Sequence, residues 1–171
     1  MSRKLIVRLA FYFLLLVVLQ IPLLHNWVLY DVAFPFPYIG FILLMPHTLP
    51  KGWAITLAFF LGLLIDVFSN TPGIHASASV LVAYYRVSWL QVVSDSSNEE
   101  MDLTFLFLGT SKFTLFMLPL IFIHHAVIFV LENEGFKWAG MLLSKVLWST
   151  FFSYFLICLV TLSVVSNKRR K

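Results

Sequence analysis

Charge is the first thing this sequence is short of. Asp, Glu, Lys and Arg make up 12% of its 171 residues, about half the roughly 25% typical of a soluble domain. So little charge cannot cover a water-facing surface. Cysteine is also scarce: Cys158 stands alone, which excludes an intramolecular disulfide and any Cys-x-x-Cys metal or redox site. Polar stretches are nearly missing, with only 94–102 hydrophilic along its length, so no second, soluble domain fits and 1–171 reads as one unit. The sequence has no internal repeat and no His-Glu-x-x-His. Gly109-Thr110-Ser111-Lys112 lacks the spacing and the following Ser or Thr of a phosphate loop. A Ser–Lys pair built from Ser144 or Ser153 with Lys145 fits no known motif. Nothing asks for a catalytic residue, a metal or a cofactor.

What is present is apolar. Hydrophobic residues reach 60% and aromatics 17%, with 18 Phe, and the mean hydropathy is +0.91. A spanning helix needs about 20 apolar residues, and the chain divides into six such runs, giving an all-α, polytopic membrane protein with spans at about 5–24, 34–48, 53–68, 74–93, 113–131 and 138–165. The first run has no small-x-small cleavage site and reads as an uncleaved span rather than a signal peptide. The second is the weakest, being short and holding Pro35, Pro37 and Pro46, which suit a first helical turn and break an interior. Lys51-Gly52 reads as a tight turn before the third run, and Ser69-Asn70-Thr71-Pro72-Gly73 as the turn after it. The fourth run is rich in small residues (Ala76, Ser77, Ala78, Ser79, Ala83), which let helices approach closely in lipid. The fifth is expected to kink near Pro119.

Basic residues orient these runs. With the amino end cytoplasmic and six spans, Arg3, Lys4, Arg8, Lys51, Arg86, Lys112, Lys168, Arg169, Arg170 and Lys171 fall on the inner side, which is ten of the twelve Lys and Arg. Lys137 lies outside and Lys145 within the sixth run. Positive-inside bias therefore places both ends in the cytoplasm. It also accounts for the +4 charge without nucleic acid.

Asp66 is the sharpest single feature. An ionisable group in a spanning segment costs about 2.5–3.5 kcal/mol on insertion scales, so it is expected to have a partner. Near the outer end of its helix it can accept hydrogen bonds from backbone N–H groups or hydroxyls among 69–74, at the start of the next helix, where N–H groups are unpaired and the dipole favours an anion. On this reading Asn, which keeps an acceptor oxygen, should largely replace Asp. The alternative is a charge pair with Lys145. His75, His124, His125 and Lys145 lie at similar depth, so with Asp66 they could line an outer-leaflet polar pocket or make unrelated interhelical hydrogen bonds.

The stretch Gly62-Leu63-Leu64-Ile65-Asp66-Val67-Phe68-Ser69-Asn70-Thr71-Pro72-Gly73-Ile74-His75-Ala76, continuing to Ala83-Tyr84, resembles the best-marked segment of the bacterial rod shape-determining membrane protein MreD family. The pattern is a Gly-Leu-x-x-Asp helix end, a turn with Pro or Gly, and a small-residue helix ending near Ala-Tyr. Size, six-span reading and basic cytoplasmic ends are similar too. The resemblance implies a non-enzymatic component of the cell-elongation machinery in the bacterial cytoplasmic membrane. It implies as partners MreC, through it the wall-building glycosyltransferase and transpeptidase, and MreB on the cytoplasmic face. It also implies a fold similar to the substrate-binding subunits of energy-coupling-factor transporters. Gly62, Asp66, Pro72, Gly73, His75 and Ala76 carry over as a conformational and packing element. The Pro-bounded second run departs from the pattern. The competing function is a small-molecule-binding membrane subunit of a vitamin-type transporter.

Overall fold

A computed structural model describes residues 3–169 apart from 25, 26, 31, 47, 48, 95–104, 134 and 137. The acidic loop expected beyond Ser94 and Lys137 therefore lie outside the described residues. Six α-helices occur among those described: α1 (Arg3–Val18), followed by a π-helical turn over Leu19–Leu24, α2 (Ile39–Leu44), α3 (Lys51–Ser69), α4 (Ile74–Val93), α5 (Phe105–Glu132) and α6 (Ala139–Arg169). The architecture is all-α; a single antiparallel bridge, Leu29 to Ala33, closes the loop after α1.

Among the described residues, three helices are long and apolar enough to cross a membrane: Lys51–Ser69, Gly109–Glu132 and Ala139–Leu162. At about 1.5 Å per residue the 19 residues of α3 reach roughly 28 Å, close to the ~30 Å hydrocarbon core. α4 is as long, with 20 residues, but Arg86, Gln91 and its serines make it more polar. α3 and α4 form an antiparallel hairpin with the most extensive pairing in the fold, and α5 packs on both α4 and α6. α5 is interrupted at Gly109, whose φ of 73° and ψ of 160° are not helical. The stretch from Phe105 up to Gly109 is thus a separate short helical piece, and 110–112, before the run expected over 113–131, belong to the long helix.

Three expectations need correction. Lys51 and Gly52 are not a turn: they are the first residues of α3, and Pro50 occupies its N-cap position in extended geometry. Arg86, counted among the inner-side cations, does not face solvent: it lies inside α4 with its side chain completely buried. The third concerns the run expected over 34–48. Among the described residues of that run, helix forms over six, Ile39–Leu44, all buried, which is about 9 Å of helix and too short to cross a bilayer alone. The reason lies in its prolines. Pro35 and Pro37 lack an N–H and disfavour helix in the residues before them, so 34–36 stay non-helical.

That segment runs alongside α6. The Phe34 N–H donates to Ser149 Oγ at 2.9 Å and the Phe36 N–H to Ser153 Oγ at 2.8 Å. Farther along, a Cβ on Gly40 would stand 2.9 Å from Ile157. Two extended residues advance about 6.6 Å and four helical residues about 6 Å, so the two backbones keep step. Prolines at alternate positions remove the donors between, and the serines take the remaining two. Non-helical backbone at membrane depth is tolerated where protein satisfies it in this way. Gln20, from the π-helical turn, adds a bond from its Nε2 to the Pro35 carbonyl at 3.3 Å. α2 itself lies among α1, α4 and α5 and carries the centre of the main hydrophobic cluster.

Candidate functional site

Where α3 meets α4, Asp66 serves both helix ends. Its carbonyl accepts the N–H groups of Asn70, which takes a left-handed conformation at φ 54°, and of Thr71 at 3.2 Å. This terminates α3. Its carboxylate turns to α4: Oδ1 accepts the Thr71 hydroxyl and the His75 N–H, both at 2.9 Å, and Oδ2 accepts the Ala76 N–H at 2.9 Å. His75 and Ala76 are the second and third residues of α4, the positions an N-cap side chain normally serves. Here the N-cap residue is Gly73, at φ 85°, which has no side chain, so the cap comes from the preceding helix. The bonds fall on 71, 75 and 76, shifted slightly from the 69–74 expected. Both oxygens accept, and that corrects the expectation about Asn: a carboxamide supplies one acceptor and would turn an NH₂ toward a second donor.

Gly62 lies one turn before Asp66 on the same face. A Cβ there would fall 2.5 Å from Ala76 Cα and 2.6 Å from the His75 carbonyl oxygen. Those are backbone atoms that no rotamer change can move. Gly62 and Asp66 therefore fix the α3–α4 contact together, one by close approach and one by hydrogen bonds.

His75 links this hairpin to the proline-rich segment. Its Nδ1 lies 2.9 Å from the Tyr38 hydroxyl, and the same hydroxyl lies 2.7 Å from His124 Nε2. Tyr38 has one proton to give, so it donates to one histidine and accepts from the other. His124 Nδ1 is buried without a partner among the described residues. The arrangement that leaves no N–H of His124 unpaired puts its proton on Nε2, donating to Tyr38, which then donates to His75 Nδ1. His125 is set differently. Its Nδ1 is 2.8 Å from the Ile121 carbonyl, which only accepts, so Nδ1 carries the proton and Nε2 accepts the Ser153 hydroxyl at 3.1 Å. Ser153 thus receives the Phe36 N–H and passes its own proton to His125. The Phe36 ring fills the space between, stacked on His125 at 5.4 Å and edge-on to His75 at 5.1 Å.

Of the residues expected at a shared outer pocket, Asp66, His75, His124 and His125 belong to one buried network, with Tyr38 and Phe36 at its centre. Lys145 does not join it. Its ammonium lies 5.5 Å from the Phe34 ring centroid, while the Asp66 carboxylate is taken up by Thr71, His75 and Ala76. Lys145 faces instead a separate cleft of about 220 Å³, also lined by Phe129, Glu132, Asn133, Trp138, Met141 and Leu142. Pro72 and Gly73 are exposed in the turn, and Ala76 is buried against Gly62.

Sequence reasoning missed Tyr38, Phe36, Gln20, Ser149 and the role of Arg86. Arg86 Nε donates to the Leu43 carbonyl at 3.2 Å, near the end of α2, where carbonyls lack helical partners and the dipole favours a cation. The usable signals were Ser149-x-x-x-Ser153, a small-residue spacing on one face of α6, and an alternate-proline segment that must find other hydrogen-bond partners. No protein-family model, curated protein or solved structure matches this chain.

Proposed function

We propose that this chain is a six-crossing protein of the bacterial cytoplasmic membrane and a non-enzymatic component of the cell-elongation complex, binding MreC and helping to position or regulate the peptidoglycan synthases. The observation that carries this reading is the α3–α4 junction. The residues that resemble the MreD segment, Gly62, Asp66, His75 and Ala76, are engaged in joining two helices, which suits a packing element in a scaffold better than a reactive group. Large apolar side chains such as Phe60, Val67, Trp148, Phe151 and Phe155 remain exposed on the helix faces, available to lipid or to partner helices.

Six crossings are supported as follows. Three helices are span-competent, α4 matches them in length, and α1 continues through its π-helical turn. Three extended residues, 34–36, followed by a turn and helix through Leu44, reach at most about 22 Å, from about 3.3 Å per extended residue and 1.5 Å per helical one. Setting the buried Arg86 aside, nine basic residues still fall on one side, and both ends of the sequence are cytoplasmic. Reporter fusions at Val165 and Glu99 should read as cytoplasmic and one at Gly135 as external; an external Val165 would break the six-span count.

The functional test is purification of the tagged, full-length chain from its own host at native expression. MreC should co-purify, and depletion should round the cells. Genes for MreB, MreC and the elongation transpeptidase beside this one would point the same way. The second reading, a binding subunit of a vitamin-type transporter, draws on the cleft at Lys145; recovery of an ATPase pair and a retained vitamin would replace the first reading with it.

A further inference from the structure

The cleft between the facing ends of α5 and α6 carries one charge of each sign. Glu132 is the last residue of α5, and Lys145 lies six residues into α6, about 9 Å along its axis,. Both line the cleft, yet they are not closed into an ion pair within 4.0 Å. The Phe34 ring, 5.5 Å away, is the cation contact of Lys145 among the described residues, a weak one for an ammonium below the membrane surface. The rest of the lining is graded. Asn133 and Trp138, 80% exposed, stand at the rim, while Phe129, Leu142 and Met141 supply apolar wall. An exposed Trp where helices leave the bilayer marks the headgroup level.

We infer that this cleft is a phospholipid site for a zwitterionic headgroup, with the lipid phosphate on Lys145, its ammonium on Glu132, and the upper acyl chain along Met141 and Leu142. The charges select the headgroup. An anionic lipid without an ammonium would satisfy Lys145 but would set its own negative charge near the Glu132 carboxylate and leave that group unpaired. A zwitterion satisfies both, and a volume of about 220 Å³ holds far more than the single water that occupies ~30 Å³ of liquid. The site rests on the membrane setting of these helices and not on MreC, so its failure leaves the co-purification result standing.

The test is native mass spectrometry of the full-length chain in a neutral detergent, offered equal amounts of phosphatidylethanolamine and phosphatidylglycerol with matched acyl chains. The wild type should retain phosphatidylethanolamine in preference by about tenfold, the ratio that corresponds to ~1.4 kcal/mol. Lys145→Gln should lower retention of both lipids, and Lys145→Arg should restore it. Glu132→Gln should abolish the preference, by raising phosphatidylglycerol as much as by lowering phosphatidylethanolamine. Unchanged thermal unfolding of the apo proteins keeps misfolding out of the comparison. Equal retention by the wild type, or a preference that survives Glu132→Gln, overturns the assignment.

Discussion

Replacing Asp66 separates acceptor count from charge. In the native turn the carboxylate holds three donors, and two of them, the His75 and Ala76 N–H groups, are buried. Asp66→Ala leaves both unpaired at about 1–3 kcal/mol each and removes the anion from the α4 amino end, worth about 0.3–1 kcal/mol or more when partly buried. The expected loss is about 2–7 kcal/mol. Asp66→Asn keeps one oxygen, which in the Oδ1 position still serves Thr71 and His75. Its NH₂ then faces the Ala76 N–H, so one donor is orphaned and the loss should be about half that of Ala. Stability would be read from unfolding midpoints of the purified full-length chain in detergent. Amide hydrogen exchange reads the site directly: in Asp66→Asn exchange should quicken at Ala76 more than at His75, and in Asp66→Ala at both. Wild-type stability and slow exchange at Ala76 in the Asn variant would refute the two-oxygen cap. Asn as damaging as Ala would show instead that charge, not acceptor geometry, holds the turn.

Three other substitutions probe the rest of the junction. Gly62→Ala pushes a methyl against backbone at 2.5 Å, so it should cost at least the ~1–3 kcal/mol typical of overpacking; a neutral unfolding midpoint would mean that the hairpin opens freely. Tyr38→Phe removes the hydroxyl shared by His75 and His124, at about 1–3 kcal/mol for each group left unsatisfied. Nitrogen-15 chemical shifts of the two rings should change together, and a shift confined to one would end the bridging assignment. Ser149→Ala and Ser153→Ala each orphan one N–H of the proline-rich segment, again about 1–3 kcal/mol, and exchange should quicken selectively at Phe34 and Phe36 respectively.

The helices declared themselves where apolar runs ended in recognisable punctuation. The expected run 74–93 coincides with α4, and 53–68 differs from α3 only at its ends, because Pro50 and the Ser69–Gly73 turn bound them locally. Asp66 stood out as an acid in an apolar run, and its carboxylate lies where local helix-end chemistry would put it. The second run was opaque for a different reason. Pro35 and Pro37 say that helix is absent, but the partners of Phe34 and Phe36 lie 115 and 117 residues later, beyond any local pattern. Arg86 counted among the inner-side cations because basic residues usually mark the cytoplasmic edge; its bond to a carbonyl of α2 lies beyond any local pattern. Tyr38 carried no signal of its own, since its importance arises from two histidines brought beside it by α4 and α5.

The pairing of Phe34 and Phe36 with α6 also has a consequence for biogenesis. A spanning helix satisfies its own backbone as it enters the bilayer, but the 34–36 segment depends on hydroxyls from residues made more than a hundred positions afterwards. Until Ser149 and Ser153 emerge, the extended stretch has no apolar refuge for its two N–H groups. This segment should therefore wait at the water interface, or inside the insertion machinery, and settle when α6 arrives. Ribosome-arrested chains ending before residue 145 should leave a cysteine at position 36 open to a water-soluble maleimide, and the full-length chain should protect it. Protection already present in the shorter chain would show that the segment is buried without α6.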